Sequence, residues 1–217
     1  MKNDTVNSRK PTIERVKYRA GRGKLVDVTE SIKVLGIDTE ADRTGRPFMV
    51  ATSEGDVYTF DNWHHPLFTR KYRGSTCVCW NLKYDSGAFV RHLPKDKLKV
   101  LWKDGKVTHD GFTFKAIGYK ALIISRGKNS VTFYDMLNFY NMSLDRAAEK
   151  YLGENKLDQD VTLYTPAYIE KHWPWIAEYC IRDAELTKRL ADRIISKFEQ
   201  FGVFPRKLYS VAYVSYH

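Results

Sequence analysis

Between Trp175 and Phe201, the residues Ile176, Tyr179, Cys180, Leu186, Leu190, Ile194, Ile195 and Phe198 recur at helical spacing, and Gly202 closes the run. Asp183 falls on the same stripe, one turn after Tyr179, so a carboxylate sits on the buried side of its own helix. A buried, unpaired carboxylate is expensive. The usual remedy is a metal ion or a cationic neighbour, here one such as Lys83 or Lys156. Ahead of this helix the chain is rich in strands. Ile32–Asp38 is a β-prone run, Phe48–Ala51 and Val57–Phe60 flank a Gly-containing turn as a hairpin, and Thr76–Trp80 is a short buried-type strand. Phe112–Phe114, Leu122–Ile124 and Val131–Phe133 read as a meander. Strands first and helices after predict a mixed α+β or α/β domain with a long C-terminal helix.

Other helix signals are local. Tyr84–His92 has a helical pattern closed by Pro94. Ser143 can cap a helix that reaches Leu152 and stops at Gly153. Thr165-Pro166 opens another, which Pro174 breaks or restarts. Residues 1–30 lack a clear period and read as a basic arm; residues 203–217 read as a tail beyond the domain at 31–202.

Length and composition limit the choices. A chain of 217 residues buries about 70% of its unfolded surface, enough for a core without staples. With 43% hydrophobic and 14% aromatic residues it is not a wholly disordered chain. No run approaches the ~18 apolar residues of a membrane span, and no signal-peptide pattern opens the chain. Cys77, Cys79 and Cys180 are odd in number and lack zinc-knuckle spacing, which argues against disulfides and zinc. The expectation is a soluble, cytoplasmic monomer without a membrane partner. Net charge is +10, and its placement matters. Residues 1–33 hold 9 basic and 4 acidic side chains, and residues 91–128 hold 10 and 3, giving +5 and +7 and leaving −2 elsewhere. Two basic islands on a slightly acidic body suggest nucleic acid, against the plainer reading of a solvated lysine-rich surface.

Three acidic positions stand out. Asp38-Thr39-Glu40 ends the first strand, and residues two apart on a strand share a face. The two carboxylates repel unless a cation lies between them, and such oxygen-rich sites suit Mg²⁺ or Mn²⁺; the plain alternative is a strand end facing water. Asn81-Leu82-Lys83-Tyr84-Asp85 directly follows a strand, with Asp85 in the first helical turn, where it could simply complement the helix dipole. The third is Asp183 with Tyr179.

In order, Asp-x-Glu, Asn-x-x-aromatic-Asp and Tyr-x-x-x-Asp resemble the motifs of the DEDD 3′–5′ exonuclease superfamily in its tyrosine-bearing, DEDDy branch. The intervals are 47 residues from Asp38 to Asp85 and 98 from Asp85 to Asp183. Trp80–Phe89 looks like the second exonuclease motif of phage-type protein-primed family B DNA polymerases. Phe133–Leu137 followed by Ala147–Leu152 is similar to the stretch between that motif and the third, and Phe204–Ala212 resembles the connector toward the palm. The departures are an extra Ser86, Ala41 after the glutamate, and Met136 where some relatives place a serine.

The resemblance implies a ribonuclease H-like mixed sheet flanked by helices and a proofreading exonuclease that digests single-stranded DNA from its 3′ end. It implies two Mg²⁺ or Mn²⁺ ions held by Asp38, Glu40, Asp85 and Asp183, with Tyr179 orienting the attacking water and Lys156 facing the scissile phosphate. Asn81, Tyr84, Phe89, Thr39 and Leu137 would grip the terminal nucleotides, although Phe89 also suits a core position. The basic segment 91–128 would track the strand. The rest of a DNA polymerase is an implied partner, no palm, fingers or thumb being represented, and a virus or mobile element would place the protein in host cytoplasm. Two alternatives remain: a non-catalytic nucleic-acid-binding module of the same fold, and a 3′–5′ exoribonuclease.

Overall fold

The two parallel neighbours of β6 build the middle of a mixed eight-stranded sheet. The structure, a computed structural model, describes residues 17–20, 24–27, 31–62, 67–68, 71–72 and 74–216. Strands β3 (Val34–Ala41), β6 (Thr76–Cys79) and β10 (Asn129–Asp135) run parallel at the centre. On one side β4 (Pro47–Thr52) and β5 (Val57–Thr59) continue antiparallel from β3 as the expected hairpin. On the other, β9 (Ala121–Arg126), β8 (Phe112–Ile117) and β7 (Lys106–His109) extend the meander from β10. The order is β5-β4-β3-β6-β10-β9-β8-β7. With helices on both faces this is the α+β, ribonuclease H-like architecture that the sequence predicts.

Alternation along the strands divides two cores. Leu35, Ile37, Cys77, Cys79 and Phe133 point to the face covered by helix α1 (Leu82–Val90) and helix α2 (Lys95–Asp104). Val34, Val78 and Tyr134 point to the other face, against α4 (Leu144–Leu152) and α5 (Pro166–Gln200). A short helix, α3 (Leu137–Tyr140), links β10 to α4. The capping expectations hold. Ser143 accepts from Arg146 N–H at 3.3 Å, Gly153 takes φ 69°, and Thr165 accepts from Tyr168 N–H at 3.2 Å ahead of Pro166.

Helix α5 passes through Pro174, but His172 leaves helical geometry at φ −112°, ψ 17°, so the proline kinks the rod rather than ending it. Helix α2 and strand β7 are among the elements that escaped the sequence reading. Helix α2 follows Pro94 directly, and its lysine-rich sequence buries only Leu101 fully, so its apolar stripe is thin. Strand β7 pairs along β8 as the edge, with only Val107 buried.

The basic arm expected over 1–30 contains an antiparallel pair, β1 (Lys17–Ala20) and β2 (Lys24–Asp27); its remainder lies outside the described residues. The tail docks. Ile32 N–H donates to Pro205 O at 2.9 Å, Leu208 is fully buried, Tyr209 packs edge-on against Tyr134, and α6 (Val211–Tyr216) buries Val214.

The contact that sets the site is α5 on β3. A Cβ at Gly36 would run into the carbonyl oxygen of Ala184 and press Lys188 Cβ at 3.0 Å, so only glycine lets helix and strand approach this closely. Gly36→Ala should therefore destabilise the fold by about 1–3 kcal/mol, the usual cost of forced overpacking. Urea unfolding followed by circular dichroism reads that loss, and an unchanged midpoint would show that the helix can shift freely.

Candidate active site

Alternation on β3 gives each residue of Asp38-Thr39-Glu40 its direction. Thr39 points to the α1 side and donates its hydroxyl to Asp85 Oδ1 at 2.7 Å, with both side chains buried. Asp38 and Glu40 point to the α5 side, where the stripe carries Tyr179, Cys180 and Asp183. One ligand atom each from Asp38, Glu40 and Cys180 lie within 4.8 Å of one another. Glu40, Asp85 and Asp183 are 5%, 1% and 4% exposed, while Asp38 is half-buried.

The electrostatics record the crowding. Burial, then Glu40, Asp183 and Asp85, push the Asp38 carboxyl far above the usual range, against a downward pull from Lys156. Burial and then Asp183 raise Glu40 to about 8. Asp85 rises to about 7 through burial, although the Thr39 hydrogen bond opposes it. Asp183 is raised too, because burial outweighs the attraction of Lys156.

The sequence left two remedies for Asp183, and the structure contains one of them. Lys156 Nζ lies 2.5 Å from Asp183 Oδ2 and 5.0 Å from the centre of the Tyr179 ring. Burial would lower the Lys156 pKa, but Asp183 and Tyr179 outweigh it and raise it. The pair does not satisfy everything. Asp183 Oδ1 and Asp85 Oδ2 are buried without a hydrogen-bond partner. With these two orphaned carboxylate oxygens, the acidic pair on β3 could hold a metal ion, and oxygen donors of this kind suit Mg²⁺ or Mn²⁺. Cys180 is an addition to these donors. Its thiol is fully buried, and burial and Asp38 hold it protonated.

Lys156 lies on a loop that α5 holds down. Glu154 receives Arg182 at 2.8 Å and Arg189 at 2.5 Å, and Arg182 also donates to Asn155 O at 3.3 Å. Arg182 neighbours Asp183 in sequence, so the same helical turn carries the carboxylate and anchors the loop that brings its lysine.

The other candidates are distributed unevenly. Tyr179 is buried beside Asp183, and burial and that carboxylate push its hydroxyl up to about 12. Tyr84 is 53% exposed, with its hydroxyl also pushed up to about 12 by burial and Glu40. Asn81 is exposed in a left-handed conformation, φ 63°, before α1, and Leu137 is half-buried at the start of α3. Phe89 does not reach the site. It is fully buried and packs on Phe133 at 4.6 Å and Phe60 at 5.7 Å, so the helix turns it into the core. The loop histidines His64 and His65 lie outside the described residues.

Asp135 was missed. It ends β10, is 4% exposed, and accepts from Asn81 N–H at 3.0 Å and Leu137 N–H at 2.9 Å. It thereby ties together the segments that follow two adjacent parallel strands. The one available signal was an aspartate between a strand and a helix start.

The solved structures that share this architecture include two of one DNA polymerase. Phi29 DNA polymerase complexed with primer-template DNA, a post-translocation binary complex, matches with a TM-score of 0.55 at 19% identity, over 81% of this chain and 32% of that one. The same polymerase complexed with primer-template DNA and incoming nucleotides matches at 0.52 and 17% identity, over 85% and 33%. No protein-family model and no curated protein matches the chain. This chain thus spans about a third of the polymerase chain. What the likeness establishes is a fold: that of one segment of phi29 DNA polymerase.

Proposed function

We propose that this chain is a metal-dependent 3′–5′ exonuclease acting on single-stranded DNA, with residues 31–202 as its catalytic domain, of or derived from a family B DNA polymerase. The observation that carries the reading is the meeting of Asp38 and Glu40 with the Asp183 face of α5, with carboxylate oxygens left orphaned. Asp38, Glu40, Asp85 and Asp183 would hold two Mg²⁺ or Mn²⁺ ions, which when bound supply a water activated for attack and charge relief on the leaving 3′ oxygen. Tyr179 stays protonated at neutral pH, so its hydroxyl can both donate and accept while orienting that water. Lys156 stays cationic and can meet charge building on the scissile phosphate. Asn81 and Leu137, spaced by Asp135, and the exposed Tyr84 ring hold the terminal nucleotides. Thr39 acts by aiming Asp85.

The Lys156–Asp183 ion pair favours a second reading, in which the fold is kept as a non-catalytic nucleic-acid-binding module and the pair merely neutralises a buried acid. Cleavage separates the two. A 5′-labelled DNA oligomer should be shortened stepwise in Mg²⁺ or Mn²⁺ and stay intact in EDTA. Asp38→Ala combined with Glu40→Ala should reduce cleavage to background while strand affinity changes by less than about threefold, since neither acid makes a favourable phosphate contact. Undiminished cleavage by the double variant refutes the assignment. Faster shortening of an RNA oligomer would instead make the enzyme an exoribonuclease.

The same acids make stability depend on pH and metal. A carboxyl whose native pKa lies above its unfolded value binds more protons when folded, so its stabilisation is full at low pH and is lost as pH rises. For Glu40 that window runs from its usual 4.5 to about 8. In EDTA the melting temperature should fall by several degrees across this interval, and Mn²⁺ should restore it at pH 8 far more than at pH 5. Asp38→Asn with Glu40→Gln should flatten both effects. A melting temperature independent of pH and of Mn²⁺ would place the acids outside any ion site.

A further inference from the structure

Outside the carboxylate cluster, two large aromatic side chains stand in solvent. Trp102, near the end of α2, is 46% exposed, and Tyr119, in the turn between β8 and β9, is 61% exposed. Their ring centres lie 6.4 Å apart with 36° between planes, and Lys83 Nζ sits 5.7 Å from the centre of the Tyr119 ring. Lys83 is exposed on α1, two residues before the buried Asp85 and on a different side of that helix.

The footing of the rings is fixed. Lys120 N–H donates to Ile117 O at 3.0 Å to close the turn, and Asp135 N–H donates to Lys120 O at 3.2 Å. The side chain of that aspartate holds Asn81 and Leu137. Gly105 O accepts from Ala116 N–H at 2.9 Å and pins the end of α2 to β8. Close to the rings in sequence, Lys99, Lys103 and Lys120 are exposed, within a segment of net charge +7.

We propose that Trp102 and Tyr119 form a stacking platform for a single DNA strand, gripping bases upstream of the terminal nucleotides; this rests on the exonuclease reading above. Charge and shape select the occupant. Exposed ring faces among lysines fit a polyanion that offers its own aromatic faces, which a single strand does and a duplex, with its bases stacked inside, does not. An apolar protein surface would leave the lysines without counter-charge. The platform would make strand affinity depend on length: the short product remaining after digestion would release, while a long strand is held.

The test uses chains carrying Asp38→Ala and Glu40→Ala, so that strands survive, and fluorescently labelled oligothymidylates of about four and about twelve nucleotides, spanning the shorter part of known single-strand site sizes. Adding Trp102→Ala with Tyr119→Ala should weaken the longer oligomer by roughly tenfold or more per ring and leave the shorter one unchanged. Trp102→Phe with Tyr119→Phe should restore most of it. In parallel, the platform variant with its acids intact should still shorten the short oligomer in Mn²⁺. Equal affinity for the longer strand with and without the rings overturns the platform, and leaves the exonuclease reading standing if cleavage persists. A ring-dependent preference for RNA over DNA of the same length overturns the DNA assignment. Absence of cleavage in the native chain removes the exonuclease reading, and the platform then falls with it as an upstream grip.

Discussion

Like charges do not gather unaided, and what gathers them here is the seam between α5 and β3. Gly36 lets the helix backbone lie against the strand, and Ala184, the residue whose carbonyl fills that gap, is the next residue after Asp183. This close approach therefore sits beside one of the buried carboxylates. Packing on either side of the seam, from Leu186 and Leu190 in one core to Ile176 and Cys180 in another, supplies the stabilisation that electrostatic repulsion opposes. The candidate site and the packing are joined at one strand.

The acids are also kept apart by role. Asp85 is reached from the opposite face through Thr39, so one carboxylate is aimed by a hydroxyl and another, Asp183, by a cation. Each is satisfied on one oxygen and orphaned on the other. A purely structural cluster would be expected to satisfy both oxygens or to neutralise them in the core. Half-satisfied acids around a shared centre are strained in isolation and suited to receiving ions. The Glu154 anchor matters in the same way, because it holds the loop that keeps Lys156 against Asp183 without a rigid element of its own.

Much of this was legible in residue spacing. Period-2 alternation put Asp38 and Glu40 together, and the helical stripe put Tyr179 with Asp183 on the buried side. Both patterns act within one element, where backbone geometry alone decides direction. What spacing could not give was contact between distant segments. The Thr39–Asp85 bond crosses 46 residues and Asp135–Asn81 crosses 54, and both depend on which strands become neighbours. Phe89 shows the opposite limit. The motif suggested a strand contact, while the rotation of α1 settled it among Phe60 and Phe133. Helix α2 was hidden because its lysines dilute the apolar stripe, leaving Leu101 as its single fully buried residue.

Cys180 gives the seam a reporter of its own. All three thiols are free and buried, and this one lies between the acids of β3 and the body of α5. Protonated and enclosed, it resists alkylation and peroxide, since the thiolate is the reactive form and reagent has no access. Modification must wait until helix and strand part. The rate at which iodoacetamide labels Cys180 therefore times the breathing of the carboxylate cleft itself, a clock independent of any substrate.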